Sequence, residues 1–305
     1  MLAGGHPELV VYVVFGAFTG MFGRSEAGAR RLRHQALAAV FLTVGVSVGV
    51  ALSATAASPL ALVAVEGAFA GLGSFYSDRF GLTPAGPFFG IFALGACASI
   101  RLAVPPGAAV LLCAAAAAFS LVVGGAAAAR ADPPSPARVT VVRRVSPLPR
   151  AATFAVAAWT AGAVTLALGI GHTHWAMAAA VVPLSAVGLA HRVTRGFHRI
   201  LGTFVGLGVT AAIFVPVELF LRGAAVGAVL VILVVALQFP TELFMTRNYG
   251  LALVFFTPLI LIMTELAHPA PIGRILLDRA TETTLGAVVG MTVCLVAHAI
   301  DFDRL

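Results

Sequence analysis

Lysine is missing from this chain altogether, and charge of either sign is scarce: arginine, aspartate and glutamate together make up 10% of its 305 residues. So little polar surface cannot coat a soluble globule, whereas lipid accepts apolar surface freely. With a mean hydropathy of +1.02, the composition specifies a polytopic integral membrane protein. Segments of alternating polarity, about ten residues each, are also missing, which excludes an outer-membrane barrel. Only a helix then satisfies its own backbone hydrogen bonds in lipid, so the expected fold is an all-α transmembrane bundle.

Cysteine is rare. Cys97, Cys113 and Cys294 all fall inside apolar stretches, with no loop pair and no metal-ligand spacing, so they read as small packing residues. His191 and His198 have no third ligand nearby in sequence, and no metal site or cofactor is expected. No phosphate-cradling glycine loop occurs, which excludes ATP-driven transport by this chain alone. No nucleophile, base and orienting group stand together at usable spacing, so an enzyme is not expected. The N-terminal apolar stretch lacks the basic leader of a cleavable signal peptide.

What is present is a succession of apolar runs. Eleven spans are predicted, at 9–22, 37–54, 58–75, 84–100, 107–128, 152–170, 173–190, 200–217, 223–240, 249–265 and 276–298. The first is marginal, because a crossing helix needs about 17–25 residues. If the spans alternate, one side collects Arg24, Arg30, Arg31, Arg33, Arg79, Arg130, Arg138, Arg143, Arg144, Arg150, Arg192, Arg195, Arg199, Arg247 and Arg304. The other side receives Arg101, Arg222, Arg274 and Arg279. The positive-inside rule then makes the first side cytoplasmic, with the N-terminus outside and the C-terminus inside an inner (plasma) membrane.

The chain also repeats at a fixed offset. Adding 169 carries Arg30 onto Arg199, Leu32 onto Leu201, Phe75 onto Phe244, Phe80 onto Tyr249 and Gly81 onto Gly250. This divides the chain into a first transmembrane repeat, 1–128, a linker, 129–151, and a second repeat, 152–305. The copies align without inversion, so they are expected to be parallel, five helices plus six. Either the first copy lacks its leading helix or the start lies upstream of Met1. Internal symmetry of this kind marks many transporter folds, whose sites lie where the repeats meet. The linker, rich in proline and arginine, reads as a cytoplasmic tether near anionic headgroups or as a docking element for a cytosolic partner. The net charge of +7 therefore points to membrane surface and not to nucleic acid. Gly202 with Gly206, and Gly286 with Gly290, have the small-xxx-small spacing of close helix pairs, and the alanine run Ala114 to Ala118 reads as a packing face.

Three stretches carry a resemblance: HRVTRGFHRILGTFVG (191–206), RNYGLALVFFTPLIL (247–261) and DRATETTLGAVVG (278–290), with FGAF (15–18) and the Arg24–Arg33 loop as a fainter first copy. In that order they resemble the fusaric-acid-resistance family. The resemblance implies transport of organic anions, often aromatic carboxylates, with plant malate channels as distant relatives. Larger members carry a cytoplasmic domain between their halves and work with a periplasmic adaptor; here the short linker stands in its place.

The residues that could carry chemistry are few. Glu66 lies within a span, so it must face the bundle interior, pair, or stay protonated. It is either a proton-coupling carboxylate or a structural acid bonded to a neighbouring helix. Arg192, Arg195 and Arg199 share a helix face at the cytoplasmic mouth, mirrored by the Arg24, Arg30, Arg31 and Arg33 cluster, and Asp78, Arg79 and Arg247 sit at equivalent turns. These arginines either draw an anion by their field or merely orient the bundle. Arg274, Asp278, Arg279 and Glu282 form an outer group, either a salt-bridge network or an anion contact centred on Arg279. His172, His174 and Trp175 read as an interfacial turn with Trp175 at the headgroups. The expectation is a permease exporting small organic anions, possible proton coupling resting on Glu66; the alternative is a non-transporting scaffold or subunit of an envelope complex. Whether it forms a homo-oligomer or takes an accessory subunit, sequence leaves open.

Overall fold

A computed structural model of the chain describes residues 6–24, 26, 28–130, 147–267 and 271–302. Among these residues there are eleven α-helices and no strand. They are α1 (Val10–Ala17), α2 (Gly28–Ala54), α3 (Pro59–Phe80), α4 (Phe88–Ser99), α5 (Pro106–Arg130), α6 (Pro147–Ala167), α7 (Thr173–Leu184), α8 (Leu189–Phe220), α9 (Ala224–Phe244), α10 (Tyr249–Ala267) and α11 (Ile272–Phe302). Short 3-10 turns, Pro7–Leu9 and Phe18–Met21, flank α1. Each predicted span falls mainly on one helix, the span 173–190 also reaching the first two residues of α8, but seven helices, α2, α3, α5, α8, α9, α10 and α11, are long and apolar enough to cross a membrane.

The helices differ in length because local chemistry stops some of them early. α3 opens on Pro59 with the Ser58 hydroxyl accepting the Ala61 N–H at 3.2 Å, and it closes on Gly81 at φ +65°, the ordinary start and stop signals of a helix. The segment Pro84–Pro87 cannot continue into α4 as a helix. Gly86, at φ +92°, turns the chain while its N–H donates to Ser77 Oγ at 2.9 Å. α4 and α7 therefore have 12 residues each, too few to span. Both are interior: all of α7 is buried, as is most of α4. With α1 and α10 they form the centre, and the longer helices surround them.

Small residues set the closest approaches. A side chain at Gly286 or Gly290 of α11 would collide with the carbonyls of Ala176 and Ala180 on α7. Gly202 and Gly206 of α8 lie in the same way against Gly250 and Leu253 of α10, and Gly45 and Gly49 of α2 against Gly90 and Leu94 of α4. Gly16 of α1 meets Cys113, Ala116 and Ala117 on α5, within the alanine run. All three cysteines are buried and free.

Two expectations shift. The linker was placed at 129–151, but its first two residues belong to α5 and its last five to α6. Residues 131–146, which include Ser135, Arg138, Arg143 and Arg144, lie outside the described residues, as does Arg304. Trp175 does not sit at a headgroup interface: it is 1% exposed, because the turn at 169–172 delivers it into the bundle and not onto its rim.

Candidate functional site

Two ends of the bundle can be told apart by their side chains. One carries the start of α8, with Arg192, Arg195 and Arg199, together with Tyr249 and Phe88, which open α10 and α4. The other carries the turn before α7, with His172, and the start of α11, with Arg274 and Asp278. Between them runs a continuous file of arginines and aromatic rings.

The file begins where Arg195 lays its guanidinium 4.3 Å from the Tyr249 ring centroid. Arg199 donates from Nη1 to the Tyr249 hydroxyl at 3.4 Å and lies 5.0 Å from the Phe88 centroid. One helical turn on, Phe92 stacks on Phe88, with centroids 5.9 Å apart and planes within 10°. Arg279 of α11 follows, 5.8 Å from Phe92 and 4.7 Å from Trp175. Trp175 in turn stacks on His172 at 4.9 Å. Phe15, Phe18, Phe89 and Phe256 pack around the middle of the file at centroid distances of 5.3 to 6.3 Å.

Arg199 and Arg279 are both fully buried. Among the described residues, Arg279 has no hydrogen-bond partner on any of its three nitrogens, and Arg199 has none on Nε or Nη2. Each lies within the electrostatic field of the other. Two like charges out of water, with unpaired donors, are costly unless something neutralises them. The aromatic faces offset part of that cost through cation–π attraction, worth about 2 kcal/mol or more where water is excluded. The nearest carboxylate, Glu282, is also fully buried, but it accepts the His172 backbone N–H at 2.7 Å and makes no ion pair with Arg279. A guanidinium held by ring faces keeps its planar edge available, and that edge is the part that binds a carboxylate.

A cavity of about 300 Å³ opens at the histidine end of the file. Phe92, Trp175, Ile260 and Met263 form its wall, with His172, Arg274 and Asp278 among its polar residues. His172 Nδ1 lies 3.5 Å from Asp278, and Arg274 lies 4.0 Å from the same carboxylate. A second cavity of about 530 Å³ lies beside it, bounded by Ser53, Ser99, Arg101 and Thr173.

Of the arginines singled out from sequence, Arg195, Arg199 and Arg279 come together on the file. Arg192 lies at the first turn of α8 and donates to the Ala186 carbonyl at 3.1 Å. Arg30 and Arg247 are exposed and lie off the file. Arg24 is bound elsewhere, 2.6 Å from Glu242, whose other oxygen accepts from Gln238 at 2.6 Å. Asp78 faces Arg150 at 3.5 Å. Glu66 is fully buried, and neither of its oxygens has a hydrogen-bond partner among the described residues. Phe88, Phe92 and Tyr249 were not singled out. The local signal was FFGIF at 88–92, three phenylalanines in five residues just after a proline-glycine break.

The fold and this interior define a polytopic, all-α membrane protein with a charged, aromatic core. Residues 156–293, from α6 through most of α11, match the family described as fusaric acid resistance protein-like. An uncharacterized membrane protein, YvaC of Bacillus subtilis (strain 168), is 28% identical over 143 residues, which is 47% of this chain and 22% of that protein. The chain thus matches about a fifth of its relative's length. No solved structure matches. The second half of the chain is thus similar to that family, and both comparisons support a membrane protein.

Proposed function

We propose that the chain is a permease for small organic anions, which move along the arginine–aromatic file. The observation that carries this reading is the pair of fully buried guanidiniums, of whose nitrogens only Arg199 Nη1 has a hydrogen-bond partner among the described residues. An anion entering from the 300 Å³ cavity passes Phe92 and Trp175, which line it, to reach Arg279 behind them; the Phe88–Phe92 stack separates the two charges, and Arg199 receives the anion on the other side. Ring faces suit a substrate with an aromatic or flat apolar body.

The arginine end is cytoplasmic in this reading, because Arg192, Arg195, Arg247 and the α2 arginines all lie there. The histidine end faces outward, in the inner membrane. The two parallel repeats belong to the same proposal. In support, adding 169 carries α1 to α5 onto α7 to α11 in order, and the pairs α2/α4 and α8/α10 both run parallel through glycine contacts. Glu66 is assigned proton coupling, since a buried carboxyl with no hydrogen-bond partner among the described residues can load and release a proton without dismantling a salt bridge.

Flux of labelled benzoate in proteoliposomes of the purified protein tests the reading. Losing a charge-assisted hydrogen bond costs about 1.5–3 kcal/mol. Arg199→Gln and Arg279→Gln should therefore each lower flux at low substrate by about tenfold or more. A scaffold would give no flux in the wild type. For Glu66, the Gln variant at matched incorporation should lose flux driven by a pH gradient, and wild-type flux in that variant would remove the carboxyl from the mechanism.

A further inference from the structure

His174 plays no part in the file, yet it is 3% exposed and lines both cavities at the histidine end. Its neighbour across α4 is Glu66. A side chain at Gly95 would collide with His174 Cβ while standing 3.0 Å from both His174 Cγ and Glu66 Oε2. The imidazole and the carboxylate therefore both approach Gly95, a position of α4 without a side chain to stand between them.

The hydrogen bonds around Ser99 favour one tautomer of the imidazole. Ser99 has a single hydroxyl hydrogen, and it donates to the Gly95 carbonyl at 2.8 Å. Its oxygen, 3.0 Å from His174 Nδ1, is then left to accept, so Nδ1 carries the hydrogen of the neutral ring. Nε2 keeps the lone pair and is the atom that takes up a proton.

We propose that His174 relays protons between the outer cavities and Glu66. This rests on the assignment of Glu66 as the coupling carboxyl. Water in the cavity gives a proton to Nε2, forming the imidazolium. The imidazolium then passes a proton to a Glu66 oxygen, which regenerates the neutral ring and leaves the carboxyl uncharged. One proton has moved from cavity to carboxyl, and the reverse sequence returns it. The titratable and charged groups around His174 are Glu66 from α3, His172 from the preceding turn with ring centroids 6.1 Å apart, and Arg279 and Glu282 from α11. From α4 the polar contact is Ser99. Arg150 of α6 is engaged with Asp78, and Arg199 of α8 lies beside Phe88.

The test uses two measurements on the same proteoliposomes: benzoate uptake driven by a pH gradient, and benzoate exchange at equal pH. The reported quantity is their ratio. His174→Ala should lower the ratio by about a hundredfold or more, the scale of a lost general acid–base group. Imidazole added on the histidine side should restore it, because the 530 Å³ cavity admits the free base. Glu66→Gln should lower the ratio equally and not respond to imidazole. Ser99→Ala, which frees the tautomer but keeps the ring, should lower it less, and this variant decides the matter if His174→Ala does not fold.

A wild-type ratio in His174→Ala or Ser99→Ala, with Glu66→Gln impaired, would overturn the relay while leaving the coupling intact. A wild-type ratio in Glu66→Gln would overturn the coupling assignment itself, and the relay with it.

Discussion

Arg279 holds its charge between the faces of Phe92 and Trp175, and at the scale of the residue that sandwich is what makes it more than a cation. Lysine is a compact point charge without a plane to stack or a fork to present. Arg279→Lys is therefore expected to behave like Arg279→Gln in benzoate flux, whereas simple attraction by charge would leave Lys close to wild type. Trp175→Leu keeps an apolar side chain but removes the ring face; it should lower the thermal midpoint in detergent, with a loss of about 1–2 kcal/mol, and reduce flux as well. Sequence singled out the arginines because charge inside apolar runs is conspicuous. It did not single out Phe88, Phe92 or Tyr249, since aromatic side chains are ordinary in a membrane protein and only the crossing of α4, α8 and α10 makes these three neighbours of a cation. Arg30 is the opposite case: the repeat pairs it with Arg199, yet one is exposed and the other fully buried. An offset in sequence does not carry burial with it.

Helices in this protein meet through missing side chains. Gly286 and Gly290 let α11 rest on the backbone of α7, so Gly286→Leu would force the two apart at a cost of about 1–3 kcal/mol. A side chain at Gly208 of α8 would meet nothing within 4 Å among the described residues, and Gly208→Leu is expected to leave the thermal midpoint close to wild type. Equal midpoints for the two variants would show that the α7–α11 contact is not limiting. These glycine pairs were legible in the sequence as spacings, and the apolar runs located every helix. Helix ends were less legible, for two physical reasons. Arginines lower the hydropathy of a segment without weakening its helix, so α8 begins at Leu189 and not at 200, and α2 and α11 also start earlier than their apolar cores. Conversely, the stretches 84–100 and 173–190 are apolar throughout, but Pro84 to Pro87 and Pro183 to Gly188 interrupt them, and hydropathy does not register a backbone break.

Seen whole, the molecule separates charge by end, and that asymmetry fixes its expected orientation. Single cysteines placed at Gly171 and at Arg247 should label from opposite sides of intact cells, the first from outside; the reverse pattern would invert the proposed direction of transport. Superposing the two repeats is expected to give an axis near the membrane normal, and an experimental structure with the axis in the membrane plane would refute the parallel arrangement. The interior placement of α4 and α7 bears finally on how the protein is made. Segments of about twelve residues cannot settle across a bilayer by themselves, so each must be accepted into a space already framed by longer neighbours. For α4 that neighbour, α2, is synthesised beforehand. For α7, the most extensive contacts are with α11, which leaves the ribosome roughly a hundred residues later, or about 5–20 seconds at ordinary elongation rates. During that interval α7 is covered by α6, α4 and α3 but bare on the face that α11 will take, and ribosome-bound chains halted before α11 should expose that face to protease or thiol reagents that the finished protein excludes.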